Sequence, residues 1–90
     1  MFTNVLFQRE TNAENFKAYV EKEELKFNTQ GIAKIMLLEG QKYKLYCFIS
    51  GESGSQYELS IIEPKKNRFH IIKKLETTDE RKDIYPIEIS

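Results

Sequence analysis

Between Tyr43 and Ile62 the chain reads YKLYCFISGESGSQYELSII, with apolar and polar residues alternating on either side of a Gly/Ser-rich break. A period of two sends successive side chains to opposite faces of an extended chain, so the pattern predicts two strands joined by the loop 51–55. One face of the first strand carries Tyr43, Leu45, Cys47 and Ile49, and the other carries Lys42, Lys44, Tyr46 and Phe48. A face left to water is polar throughout. This second face is half aromatic, and any fold for the chain must account for it.

The flanking sequence extends the sheet. Residues 1–8 (MFTNVLFQ) predict a first strand, with the β-formers Val5 and Phe7 two apart. Thr11 followed by Glu14 has the spacing of a helix capping box. Ala13, Phe16, Val20 and Phe27 then recur at helical spacing with Tyr19 alongside, while Glu14, Lys17, Glu21, Lys22, Glu23 and Glu24 supply a wet side. This predicts one helix, ending before Asn28-Thr29-Gln30-Gly31. Strands are expected over 32–38, 41–50, 56–63 and 68–76, with turns at Glu39-Gly40 and Pro64-Lys65-Lys66-Asn67. A polar connection follows over 77–83, then a short last strand over 84–89 that Pro86 confines to an edge. The expected architecture is a single α+β domain of order β-α-β-β-β-β-(β). It has a mostly antiparallel sheet of five or six strands, or a small half-open barrel, with one N-terminal helix packed on one face.

Register follows from matching apolar residues across each turn. A three-residue loop Glu52-Ser53-Gly54 pairs Ile49 with Tyr57, Cys47 with Leu59 and Leu45 with Ile61. The Glu39-Gly40 turn sets Met36 opposite Tyr43 and Ile32 opposite Cys47, and Phe69 and Ile71 continue that side. The remaining face then holds Ile35, Leu37, Tyr46, Phe48, Ile62 and Ile72, edged by Lys42, Lys44, Arg68, His70 and Lys74. One helix covers only one side of a sheet. The other is closed by curling into a barrel, by self-association as a homodimer, or by a foreign ligand.

Composition narrows the chemistry. The chain has 90 residues, is 40% hydrophobic and 31% charged, and has no net charge, which is an ordinary globular balance. Charge is nonetheless uneven. Residues 41–74 hold seven basic against three acidic side chains, a net of +4, and residues 75–90 hold two against five, a net of −3. With Cys47 alone there is no intramolecular disulfide, and with His70 as the one histidine a single chain assembles no His/Cys zinc site. No cofactor is expected. Residues 1–7 lack the pattern of a secretion signal, and the longest apolar run, Ile35 to Leu38, is too short to span a bilayer. The expected location is the cytoplasm. Abundant Lys, Ile, Asn, Glu, Phe and Tyr without Trp lean toward an AT-rich genome such as that of a low-GC bacterium or its phage, in which case the location is the host cytoplasm.

No motif carries a reaction. Gly51-Glu52-Ser53-Gly54 has the letters of the G-x-x-G nucleic-acid clamp, but it joins strands and holds an acid that repels phosphate. The Gly-Lys-Ser/Thr of a phosphate-binding P-loop is missing. Lys44 to Ile49 places two aromatics two apart after a base, the spacing of a base-stacking strand, without that motif's glycines. Glu21, Glu23 and Glu24 belong to the wet side of the predicted helix. Asp79, Glu80 and Asp83 alternate with Arg81 and Lys82 without a calcium-loop pattern. The expectation is a small non-catalytic protein-interaction module that recognises an acidic or mixed surface. An inhibitor of a host protein, encoded by a phage or mobile element, matches the size and the composition. The expected binding residues are Lys42, Lys44, Tyr46, Phe48, Ile62, Arg68, His70, Ile72 and Lys74. Single-stranded nucleic-acid binding on the same basic, aromatic face is the alternative, and a small-molecule barrel is the third.

Overall fold

Phe16, Ala18 and Val20 turn into the protein interior while Lys17 and Tyr19 turn out. This period of two prevails over the helical spacing of Ala13, Phe16, Val20 and Phe27, because Phe, Tyr and Val suit a strand and three successive inward residues complete a core stripe. The computed structural model, which describes residues 1–76 and 79–89, is all-β. Eight strands form two antiparallel four-stranded sheets, with no helix among the described residues. The expected N-terminal helix and the α+β class are therefore overturned.

The strands are β1 (Phe2–Thr11), β2 (Asn15–Val20), β3 (Glu23–Glu24), β4 (Ile32–Leu38), β5 (Lys42–Gly51), β6 (Gln56–Glu63), β7 (His70–Lys74) and β8 (Asp79–Glu88). They are ordered β4-β1-β6-β7 in the first sheet and β3-β2-β5-β8 in the second. The would-be capping box is a turn of another kind. The Thr11 hydroxyl donates to the Gln56 carbonyl at 2.7 Å and accepts from the Ala13 N–H at 3.1 Å, ending β1 rather than starting a helix. Glu21, at φ +53°, turns the chain from β2 into β3. Of the expected 77–83 connection, Thr77 and Thr78 lie outside the described residues and the remainder belongs to β8.

The two sheets face each other across one core, so the half-open barrel is corrected to a sandwich. Its centre is filled by Val5 and Phe7 of β1, Leu45, Cys47 and Ile49 of β5, and Tyr57, Leu59 and Ile61 of β6, with Ala18, Val20, Ile35, Leu37 and Ile87 around them. Each large apolar side chain so enclosed contributes about 1.5–3 kcal/mol. Two expected hairpins do not form. β4 and β6 lie in one sheet and β5 in the other, so Cys47 and Leu59 enter the shared core from different sheets instead of pairing side by side. The β6–β7 hairpin does form, with Asn67 N–H closing the turn on the Pro64 carbonyl at 3.0 Å and Leu59 opposite Ile71.

Losing the β4–β5 hairpin inverts β4. Ile35 and Leu37 are buried in the core, while Met36 is 59% exposed on the outer face. The free edge of β4 is stoppered at both ends. Asn28 exchanges two hydrogen bonds with the Ile32 backbone, at 2.9 and 3.0 Å, and the Tyr43 hydroxyl accepts the Leu38 N–H at 2.8 Å. Between these caps Lys34 and Met36 turn their peptide groups outward, since Ala33, Ile35 and Leu37 bond to β1.

Candidate functional site

Hydrogen-bond register in the second sheet sets its outer side chains in rows across three strands. Asn15, Ser50 and Glu80 form one row, Lys17, Phe48 and Lys82 the next, and Tyr19, Tyr46 and Ile84 the third. Beyond these, Lys44 stands opposite Pro86 and Lys42 opposite Glu88. The Tyr19 and Phe48 rings meet edge to face, with centroids 5.7 Å apart. The Lys82 ammonium lies 5.8 Å from the Phe48 ring centre and 5.9 Å from that of Tyr46. Phe48 is 38% exposed and Ile84 51%. Lys17, Tyr19, Tyr46, Phe48 and Lys82 line an open concavity of about 1200 Å³, which also takes in Glu21, Lys22 and Arg81, with Ile84 outside it on the same face. Glu21 is anchored, its carboxylate accepting the Lys44 N–H and its own N–H bonding the Lys44 carbonyl at 2.9 Å.

The expected binding residues are thereby divided. Lys42, Lys44, Tyr46 and Phe48 share this face. Ile62, His70, Ile72 and Lys74 belong to β6 and β7, in the other sheet, and Arg68 precedes β7. Ile62, Arg68 and His70 border a separate shallow hollow of about 470 Å³ beside the Pro64–Asn67 turn. There the His70 imidazole contacts the Glu58 carboxylate, and Ile72, 56% exposed, stands opposite Glu58. The single platform fails because β5 and β7 lie in different sheets. In their place the concave face gains Lys17, Tyr19, Lys82 and Ile84. Lys17 and Tyr19 were legible in the alternation around Ala18. Lys82 and Ile84 were hidden because charged Arg81 and Asp83 occupy the alternate register of β8 and spoil its apolar pattern.

Asp83 joins a partly buried polar knot at the margin of the sheet, with the exposed Arg81 reaching it from outside. The Tyr57 hydroxyl donates to Asp83 Oδ2 at 2.9 Å and lies 3.0 Å from the Tyr85 hydroxyl, while Arg81 Nε donates to Asp83 Oδ1 at 3.0 Å. Burial, with the Tyr85 hydrogen bond second, keeps the Tyr57 phenol protonated far beyond its usual range. Burial likewise pushes the Cys47 thiol up to about 12 despite the opposing hydrogen bond from Tyr57, so it is a packed, un-ionised group rather than a nucleophile. Among the described residues no three His, Cys, Asp or Glu side chains converge on a point that could hold a metal ion. No helix of the described residues is long and apolar enough to cross a membrane. Chemically, the concave face offers aromatic surface, several lysine ammonium groups and peripheral carboxylates, a set suited to holding a partner.

Comparison with protein-family models, with curated proteins and with solved structures finds no match to this chain.

Proposed function

We propose that the protein is a non-catalytic binding module that docks another protein on the concave outer face of the β3-β2-β5-β8 sheet. The observation that carries this reading is the row structure of that face. Exposed Phe48 and Ile84 lie beside Tyr19 and Tyr46 at the centre, with lysines next to them and glutamates at the margin. Apolar and aromatic anchors within a charged rim are the usual anatomy of a protein interface. The test is affinity capture with the wild-type chain and with a Tyr46→Ala/Phe48→Ala variant that keeps wild-type circular dichroism. Loss of two central aromatics is expected to weaken capture at least ~30-fold. Undiminished capture by the folded variant rejects this face as the docking surface.

Single-stranded nucleic-acid binding has one observation in its favour, the pair of lysines flanking Phe48. It requires affinity that falls steeply with salt. Fluorescence anisotropy of a labelled oligonucleotide at low salt tests it, and no binding there removes it.

A further inference from the structure

We infer that the element docked on this face is an acidic polypeptide segment, with carboxylates at its centre beside an apolar side chain. The inference rests on the docking reading above and narrows it. Lys17 and Lys82 belong to the strands on either side of β5 and stand in one row with Phe48 between them. With adjacent strands about 4.8 Å apart, their Cα atoms are separated by about 10 Å. Neither ammonium has a carboxylate within ion-pair distance among the described residues. Lys82 is exposed and stands within cation–π reach of two rings, so an anion that meets it also meets the aromatic patch.

The carboxylates of the face lie elsewhere. Glu80 belongs to the row on one side of Phe48, opposite Ser50, and Glu21 lies beyond the tyrosines on the other, held to the Lys44 backbone. Both line the concavity. The face is thus purely cationic at its middle, while each end mixes charges, Glu80 with Arg81 at one and Glu21 with Lys22 and Lys44 at the other. A nucleic-acid strand crossing it brings a phosphate with every nucleotide and meets the acids as well as the lysines. A polypeptide places its charges selectively, with carboxylates over Lys17 and Lys82 and neutral or basic residues outside, and so avoids like-charge contacts.

The test uses a random peptide library displayed on phage, selected on the wild-type chain. Enriched peptides are labelled and titrated by anisotropy against three proteins: wild type, Lys17→Gln/Lys82→Gln, and Tyr46→Ala/Phe48→Ala. Both variants are first shown to unfold cooperatively in urea near the wild-type midpoint. The expected peptides carry Asp or Glu next to an aromatic or aliphatic residue. Loss of the two lysines is expected to weaken them roughly three- to tenfold at about 0.05 M salt, and less than about twofold at about 0.5 M. Peptides without acids that bind the lysine variant as tightly as wild type, but not the aromatic variant, overturn this inference and leave the docking reading standing. Peptides indifferent to both variants, or no peptide at all, overturn both. Tight, salt-sensitive binding of oligothymidylate that requires Phe48 also overturns both, in favour of nucleic acid.

Discussion

Gly31 sits at φ +78°, and a Cβ built there stands 2.5 Å from the Arg9 carbonyl oxygen, whose residue also donates its N–H to Gly31 at 2.7 Å. Gly31→Ala therefore suffers both backbone strain and a clash with main chain that has no room to yield. A loss of about 2–4 kcal/mol is expected, read as a lower urea midpoint. Tyr57→Phe leaves Asp83 and Tyr85 each short of a partner inside the sandwich and is expected to cost about 1–3 kcal/mol in the same measurement. Cys47 ties stability to alkaline pH. The unfolded thiol loses its proton near the ordinary 9.0, whereas the folded thiol keeps it to about 12. Between those values the unfolded chain binds fewer protons, so stability is fully present below about pH 8 and falls as pH rises toward 12. The urea midpoint is expected to drop from pH 9 upward. In Cys47→Ala the onset moves higher, to where the unfolded Tyr57 phenol, whose folded value is also raised, begins to titrate.

At the scale of the strand, residues 13–20 decide the fold class, and Ala18 separates the two readings. On the helix pattern of Phe16 and Val20 it points to solvent, and in β2 it is fully enclosed. Ala18→Lys is therefore expected to abolish cooperative unfolding, because an unpaired charge enters the core at about 3–5 kcal/mol or more. Lys17→Ala next to it is expected to change stability by no more than about 0.5 kcal/mol. Circular dichroism melts of the two variants distinguish the cases. The inward sets on β5 and β6 were legible in the sequence, because alternation there is uninterrupted: Leu45, Cys47, Ile49, Tyr57, Leu59 and Ile61 are all buried. What alternation omits is which strands are neighbours. Apolar residues that match across a hairpin serve equally well in a sandwich core, so Cys47 and Leu59 were rightly placed in the core and wrongly paired within one sheet. That single ambiguity inverted β4, and it merged the two outer faces into one imagined platform. Half of the candidate site was legible for the same reason, since Tyr46 and Phe48 alternate with core residues whichever strand lies beside them.

Over the whole molecule, the chain changes sheet at nearly every connection, leaving β2–β3 and β6–β7 as the pairs joined by short turns. Most native pairing must close long loops first, so the main refolding phase in stopped-flow fluorescence is expected in milliseconds to seconds rather than microseconds. The four margins of the sheets are guarded differently. Chain 21–27 runs along β2, with Leu25 N–H bonded to the Ala18 carbonyl at 2.8 Å. Pro86 and the charged pair Arg81 and Asp83 blunt β8, and Lys73 and Lys74 place charge on β7. β4 alone depends on stoppers made by Asn28 and Tyr43. Asn28→Ala/Tyr43→Phe takes away their side-chain groups and frees the Ile32 and Leu38 N–H groups at the two ends of a nearly chargeless seven-residue margin. The variant is expected to sediment as dimers and larger species at tens of micromolar, where wild type stays a single species. One side-chain amide and one phenol are thus expected to hold this margin shut against a second copy, at the edge of the first sheet farthest from β7 and outside the sheet that carries the concave surface.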